Sequence, residues 1–136
     1  MDRDAILFAN EAFYRAFADR DLSAMEGLWA LGVPVMCIHP GWGPLTERDA
    51  VMASWRAILT GRHPPSIRCQ RPETFQYGDV AAVICFEVIG QSLLVATNLF
   101  VRQQGRWKIV HHQSGPSNQA PPADSDTDNE PQGPVN

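Results

Sequence analysis

The sequence has no run of 18 apolar residues, so it predicts no membrane-spanning helix. The first ten residues, MDRDAILFAN, carry mixed charge and no long apolar stretch, so we expect no signal peptide and a cytoplasmic protein. Cysteine is scarce: the sequence has only Cys37, Cys69 and Cys85. Their number is odd, and they lack the spacing of metal ligands. We therefore predict neither a disulfide framework nor a zinc site, and expect three small buried thiols.

An excess of basic residues is also missing. The formal net charge of −4 comes from residues 117–136, which contain four acids and no Lys or Arg; the remainder has 11 acidic and 11 basic residues. This neutral part offers no basic field for nucleic acid. Residues 117–136 are rich in Pro, Asp, Asn and Ser, so they are predicted to form a disordered, solubilising tail.

Short catalytic and ligand-binding motifs are absent as well. HExxH, CxxC, GxGxxG and GxSxG do not occur, so the sequence predicts no cofactor. His39, His111 and His112 are histidines that a metal can use, but adjacent residues of a strand point to opposite faces. His111 and His112 therefore cannot share one ion in a regular strand, and no metal site is predicted.

Hydrophobic periodicity divides the chain into helices followed by strands. Apolar residues at helical spacing indicate three helices, in residues 3–18, 21–29 and 46–59. Extended apolar runs between turn residues indicate one short and four long strands, in residues 35–38, 66–77, 80–89, 92–102 and 106–114. Asp21 and Thr46 are predicted N-caps, and Pro72 is expected at a sheet edge or bulge. This order predicts an α+β fold with three helices packed on one face of a curved antiparallel sheet.

Two stretches resemble a known superfamily. One runs from His39-Pro40-Gly41-Trp42 through Arg48 to Trp55, and the other is WKIVHHQSG, residues 107–115. With the element order, they resemble the nuclear transport factor 2-like superfamily and its SnoaL-like, polyketide cyclase-like branch. The second stretch is also similar to the association domain of calcium/calmodulin-dependent protein kinase. The resemblance covers about residues 3–116, which places the domain at residues 1–116.

The resemblance implies a cone-shaped half-barrel, a pocket between helices and sheet, and a homodimer formed through the sheet. Members include ketosteroid isomerase, scytalone dehydratase, limonene epoxide hydrolase, polyketide cyclases and non-catalytic association domains, so the fold does not decide the function. The Asp, Tyr and acid set of ketosteroid isomerase has no match, because Tyr14 and Tyr77 are the only tyrosines. The branch usually has Gly-Arg where this chain has Glu47-Arg48.

Turn lengths predict which strand residues share a face. A two-residue turn at Gly90-Gln91 pairs Ser92 with Ile89 and puts Glu87 and Asn98 on one face. A three-residue turn, Gln103 to Gly105, with glycine in a bulge adds His112 and Ser114 to that face and turns His111 away. A two-residue turn would instead bring His111 to the face of Asn98. The resemblance supports the Asn98 face, because the kinase association domain has pocket arginines at the positions of Asn98 and near Ser114.

The candidate pocket residues come from both layers of the predicted fold. The sheet contributes Glu87, Asn98, His112 and Ser114, and the helical side contributes His39, Trp29, Trp42 and Trp55. A carboxylate inside VICFEVIG must be paired or have a raised pKa, so Glu87 and His112 form a candidate base and orienting group. The structural alternatives are a hydrogen bond that fixes the sheet and tryptophans that pack in the core.

Three functional hypotheses follow. The first is a protein that binds a small molecule in a mostly apolar pocket, with no assigned reaction. The second is a cofactor-independent isomerase, lyase or cyclase that uses His112 or Glu87 as general base on a small hydrophobic carbonyl compound. The third is a non-catalytic association module. A homodimer is expected because the uncovered sheet face is predicted to be apolar, with Leu93, Val95, Thr97, Leu99, Val101, Trp107, Ile109 and His111.

Overall fold

Three helices pack on one face of a five-stranded sheet. The computed structural model describes residues 2–63 and 65–122. Its elements are α1 (Asp2–Ala18), α2 (Leu22–Leu28), β1 (Met36–Ile38), α3 (Arg48–Leu59), β2 (Ile67–Tyr77), β3 (Val80–Ile89), β4 (Ser92–Gln103) and β5 (Arg106–Pro116). The sheet order is β1-β5-β4-β3-β2, with antiparallel pairing of the long strands and parallel pairing of β1 with β5. The predicted α+β architecture is confirmed. None of the helices in these ranges is long and apolar enough to cross a membrane.

The four acids of the predicted tail fall in residues 123–136, which lie outside the described residues. Residues 117–122 follow β5 without forming a helix or strand. The prediction of a disordered tail therefore stays a prediction.

The helices are held by apolar stripes and by polar contacts at their ends. The buried stripe of α1 is the predicted one, with Ile6, Ala9, Phe13 and Phe17. Asp21 is the N-cap of α2, as predicted, and its carboxylate accepts a hydrogen bond from the Ala24 amide at 3.0 Å. The Thr46 cap is wrong, because α3 begins at Arg48 and Glu47 is its N-cap without a side-chain bond.

Arg48 fixes the start of α3 by a contact that local sequence does not reveal. Its guanidinium donates hydrogen bonds to the carbonyls of Glu26, Trp29 and Ala30, at 3.0, 3.3 and 2.8 Å. These carbonyls lie at and just beyond the end of α2, where helical partners run out. One arginine thus joins the end of α2 to the start of α3, which begins without a side-chain hydrogen bond from its N-cap.

The strand pairings of the sheet edge and of β3 with β4 agree with the sequence analysis. Pro72 lies in the edge strand β2 at a register shift between Gln70 and Glu73. Ile89 pairs with Ser92 across the two-residue turn, and Glu87 pairs with Leu94. Glu87 therefore faces the helices together with the other alternate residues of β3 and β4, namely Ala81, Val83, Cys85, Ala96, Asn98 and Phe100.

The turn between β4 and β5 differs from the prediction. Gln103 pairs with Arg106, so the turn has two residues, and the predicted three-residue bulge is wrong. Gln104 and Gly105 both have positive φ angles, 53° and 78°, as a type I′ hairpin turn requires. This turn matches the right-handed strand twist, which explains why it is favoured here.

A bulge further along β5 restores the position expected for His112. Phe100 pairs with Ile109 but Leu99 pairs with His111, so Val110 is an extra residue in β5. The extra residue reverses the alternation of β5. Trp107 and Ile109 therefore point into the core before the bulge, and their prediction on the outer face is wrong. After the bulge, His112 and Ser114 take the same inner face.

The outer face of the sheet is apolar and only partly covered. Among its residues, Val80, Ile84 and Val95 are 41%, 40% and 38% exposed. Leu93, Leu99 and Val101 are half-buried on the same face. The three helices described above all lie on the other side.

Candidate functional site

A cavity of about 350 Å³ lies between the inner face of the sheet and the end of α3. Five of the eight candidate residues line it, namely His39, Trp42, Glu87, His112 and Ser114. Most of the remaining wall is apolar, with Phe17, Ile58, Ile67 and Ile89 among its side chains. The cavity therefore brings together residues that lie far apart in sequence on strands, a loop and a helix.

Three candidate residues do not line this cavity. Trp29 and Trp55 are buried in the hydrophobic core, 1% and 0% exposed. Both rings pack in the core, which is the structural alternative given for the tryptophans, and neither lines this cavity. Trp55 packs edge-on against Phe13 and His39, so it supports the cavity from behind. Asn98, which is fully buried, contacts the cavity residue His112.

Glu87 is a buried carboxyl held by a tyrosine. Its side chain is 1% exposed, and its Oε2 accepts a hydrogen bond of 2.6 Å from the hydroxyl of Tyr14. Burial raises the pKa of Glu87 above its ordinary value, while the hydrogen bond from Tyr14 opposes the rise. Ser114 also acts to lower this pKa, although its buried Oγ has no hydrogen bond of full geometry within the described residues.

Tyr14 joins α1 to the sheet, and the sequence analysis did not place it in the site. Its hydroxyl also accepts a hydrogen bond from Asn98 Nδ2 at 3.2 Å and lies 3.3 Å from Cys85 Sγ. Burial holds the pKa of Tyr14 well above its ordinary range, so the hydroxyl keeps its proton. A feature of the sequence could have indicated Tyr14: Asn10 and Tyr14 are two polar residues one helical turn apart inside an apolar stripe.

His112 is held in one tautomer by Asn98. The Asn98 amide nitrogen donates to Asn10 Oδ1 at 2.9 Å and to Tyr14, so its Oδ1 faces His112. His112 Nδ1 lies 2.6 Å from that oxygen, and the network therefore assigns the ring proton to Nδ1. The other ring nitrogen, Nε2, lies 4.0 Å from Glu87 Oε2. The lone pair of Nε2 is then free on the side of the carboxyl.

Burial keeps this imidazole neutral. His112 is 2% exposed, and burial, followed by the nearby His39 and His111, lowers its pKa to about 3. A charged partnership between His112 and Glu87 is therefore absent near neutral pH, despite the 4.0 Å separation. His111 is half-buried and takes the adjacent position on β5, opposite Leu99.

His39 forms the helix-side wall of the cavity. Ser54 Oγ donates to the Val51 carbonyl at 2.7 Å, so it accepts from His39 Nε2 at 2.9 Å. Burial lowers the pKa of His39 to about 4. The half-exposed Trp42 packs edge-on against this ring, with 4.8 Å between ring centroids.

The arrangement provides two neutral imidazoles, a carboxyl with a raised pKa and the Ser114 hydroxyl around a mostly apolar space. These groups can hydrogen-bond a polar atom of a ligand and can exchange a proton with it. Within residues 2–63 and 65–122, no three His, Cys, Asp or Glu side chains converge to hold a metal ion.

A family model of the SnoaL-like domain matches residues 6–117. The chain belongs to the SnoaL-like family. A curated relative, the F-box protein SKIP8 of Arabidopsis thaliana, is 31% identical over 113 residues, which cover 81% of this chain and 48% of that protein. This SnoaL-like chain thus spans about half the length of that relative.

Solved structures place the same fold among NTF2-like proteins. An NTF2-like protein of Streptomyces avermitilis, provisionally assigned as a dehydratase, is 30% identical with a TM-score of 0.79, covering 87% of this chain and 97% of that one. A Thiobacillus denitrificans protein, provisionally assigned as a calcium/calmodulin-dependent protein kinase type II association domain, is 31% identical with a TM-score of 0.68, covering 81% and 93%. The S. rosetta CaMKII hub shares the fold at 18% identity, with a TM-score of 0.69 and coverage of 84% and 95%. Both resemblances stated from the sequence are confirmed.

Acidification should destabilise this protein through its two buried imidazoles. Their pKa values of about 3 and about 4 lie below the ordinary 6.5, so the unfolded chain takes up protons that the folded chain excludes. The two neutral histidines contribute fully to the free energy of unfolding above pH 6.5, and this contribution is lost as the pH falls. The loss near pH 4 is about 3 kcal/mol for each histidine. Glu87 acts in the opposite sense, because its raised pKa favours the protonated carboxyl in the folded state.

Urea unfolding of wild type and His112→Gln near pH 7 and near pH 4 isolates the histidine contribution. Between pH 7 and pH 4, the free energy of unfolding of His112→Gln should fall by about 3 kcal/mol less than that of the wild type. His39→Gln should behave similarly, and His63→Gln, at an exposed position, is the matched control. Equal losses in wild type, His112→Gln and His39→Gln would contradict the burial of neutral imidazoles.

Proposed function

We propose that this protein binds a small, mostly apolar molecule with at least one polar oxygen in the cavity beside Glu87. The observation that carries the proposal is the convergence of Glu87, His112 and Ser114 on one apolar space. Buried polar groups without partners are costly, so an evolved fold keeps few of them outside binding sites. Ser114 lines the cavity beside Glu87, and its buried Oγ has no hydrogen bond of full geometry within the described residues.

The size and walls of the cavity fit this class of ligand. Its volume of about 350 Å³ is at the lower end for small-molecule sites. Phe17, Ile67 and Ile89 supply apolar walls, and the half-exposed Trp42 is a flat aromatic surface on the loop side. A ring or short branched carbon skeleton with a carbonyl or hydroxyl group matches this lining.

A second candidate function is cofactor-independent proton transfer on the bound molecule, as in an isomerase, lyase or cyclase. The 4.0 Å between His112 Nε2 and Glu87 Oε2 favours it, because a substrate hydrogen can reach both atoms from one position. The raised pKa makes Glu87 the stronger base of the two, and the depressed pKa of His112 suits it to accept a hydrogen bond or relay a proton. The provisional dehydratase assignment of the Streptomyces avermitilis relative supports this class of reaction.

We also propose that a second copy of the chain covers the outer face of the sheet. Ile84 and Val95 are about two-fifths exposed near the centre of this face, where β3 and β4 pair. A continuous apolar sheet surface favours association over exposure to water. The kinase association domain and hub among the solved relatives support self-association as a property of this fold.

Ligand binding should raise the melting temperature of the wild-type protein. A panel of monocyclic, bicyclic and steroid-like carbonyl compounds is screened by thermal shift, and at a hundredfold excess over Kd a binder adds about 2.7 kcal/mol. That corresponds to roughly 5–10 °C for a domain of this size. Glu87→Gln and His112→Gln should lose most of the shift, whereas Glu73→Gln, exposed on β2, should keep it.

The absence of any shift across the panel, or a shift unchanged in both Glu87→Gln and His112→Gln, would contradict the binding proposal. Incubating each binder with the protein and following its carbonyl and adjacent hydrogens by NMR separates the two functions. Turnover that Glu87→Gln abolishes supports proton transfer, and binding without turnover or hydrogen exchange excludes it.

Light scattering at micromolar concentration tests the dimer. The wild type should have twice the chain mass of 15.1 kDa. Val95→Lys should give a folded monomer, because the lysine reaches solvent in a monomer but is buried without a partner in the dimer. Ser92→Lys, at the exposed end of β4, is the control and should stay dimeric. A wild-type monomer, or a Val95→Lys dimer, would overturn this assignment of the sheet face.

A further inference from the structure

A second, larger opening lies on the other side of the buried polar network. This groove of about 760 Å³ runs between α1 and β2, and Asn10, Tyr14 and Cys69 line it. Cys69 is half-buried there, whereas Cys37 and Cys85 are buried. The groove gives small solutes access to one of the three thiols.

Cys69 and Cys85 are neighbours on adjacent strands. Cys69 pairs with Glu87 in the register of β2 and β3, and Cys85 precedes Glu87 by two residues, so both thiols point toward the helices. A side-chain hydrogen bond between the two thiols affects the pKa of each, so the two sulfurs are neighbours. A half-buried thiol therefore lies diagonally across from a buried one.

The groups around the two thiols shift their pKa values in opposite directions. Cys69 Sγ also accepts a hydrogen bond from Asn10 Nδ2 at 3.7 Å, and the bonds from Cys85 and Asn10 lower the pKa of Cys69. The hydrogen bond to Cys69 and burial raise the pKa of Cys85 well above its usual range. Burial raises the pKa of Cys37 to about 12. Cys69 is therefore the thiol with the most thiolate character.

We propose that Cys69 and Cys85 form a redox pair in which a hydroperoxide oxidises Cys69 through the groove and Cys85 closes an intrachain disulfide. In the first step the Cys69 thiolate attacks the peroxide, its sulfur gains one oxygen as a sulfenic acid, and hydroxide or alkoxide leaves. In the second step Cys85 Sγ attacks the Cys69 sulfur, the S–O bond breaks, and the Cys85 proton leaves with the hydroxyl as water. One peroxide thus oxidises two thiols.

The redox pair is separate from the proposed ligand site and does not depend on it, although the two are physically connected. Asn10 contacts Cys69 and also accepts from Asn98, which holds His112. Tyr14 contacts Cys85 and also donates to Glu87. A disulfide withdraws both sulfurs from these contacts, so oxidation alters the hydrogen bonds behind both cavity groups.

The test is treatment of the full chain with a stoichiometric amount of hydrogen peroxide, followed by mass spectrometry without reduction. The expected product is lighter by about 2 Da, carries a Cys69–Cys85 linked peptide, and returns to the starting mass with dithiothreitol. Cys37→Ser should react like wild type. Cys85→Ser should stop at a Cys69 sulfenic acid, trapped by dimedone, and Cys69→Ser should not react at this dose.

A measurement on the untreated wild type does not depend on the folding of any variant. Iodoacetamide should alkylate Cys69 at least about tenfold faster than Cys37 or Cys85, since thiolate fraction and access both favour it. Equal alkylation rates, a disulfide that includes Cys37, a link between two chains, or a Cys69 sulfinic acid with Cys85 still reduced would each overturn the proposal.

Discussion

The burial of the Glu87 carboxyl between the sheet and α1 is the constraint on which the interior of this protein depends. A carboxyl at such a position must find donors or keep its proton. Tyr14 supplies the donor, and Asn98 then orients Tyr14 and His112 through one amide group. A chain of side-chain hydrogen bonds therefore joins α1, β3, β4 and β5 and ends at a cavity. The same hydrogen-bond network fixes the fold and holds polar groups that line the cavity, so the structural and functional interpretations of Glu87 are compatible.

The bulge at Val110 makes this network possible. Before it, Trp107 and Ile109 need the inner face of β5 to complete the core, and after it His112 and Ser114 need the same face. A regular strand cannot satisfy both, because Ile109 and His112 are three residues apart and would face opposite sides. One extra residue therefore lets β5 serve the core at one end and the cavity at the other.

Sequence reasoning predicted what local alternation and turn chemistry determine. The pairing of Glu87 with Leu94 follows from the two-residue turn. The apolar stripes of the helices follow from hydrophobic periodicity, and the family resemblance follows from the element order and two short sequence stretches. The bulge at Val110 has no local signature, so His112 reached the predicted face by a route that the sequence analysis did not contain. Tyr14 was missed because its partners are brought together only by the packing of α1 on the sheet. For Trp29 and Trp55 both a core position and a pocket position were left open, because hydrophobic periodicity does not separate the core from the pocket wall.

The most direct test of this account is the protonation state of His112, measured by 15N NMR of the imidazole nitrogens in uniformly labelled protein. His112→Gln assigns the signals. The expected result is a neutral ring with its proton on Nδ1 and an unprotonated Nε2, unchanged from near neutral pH down to about pH 5. A proton on Nε2, or a ring that becomes charged as the pH passes about 6, would contradict the network from which the site is built.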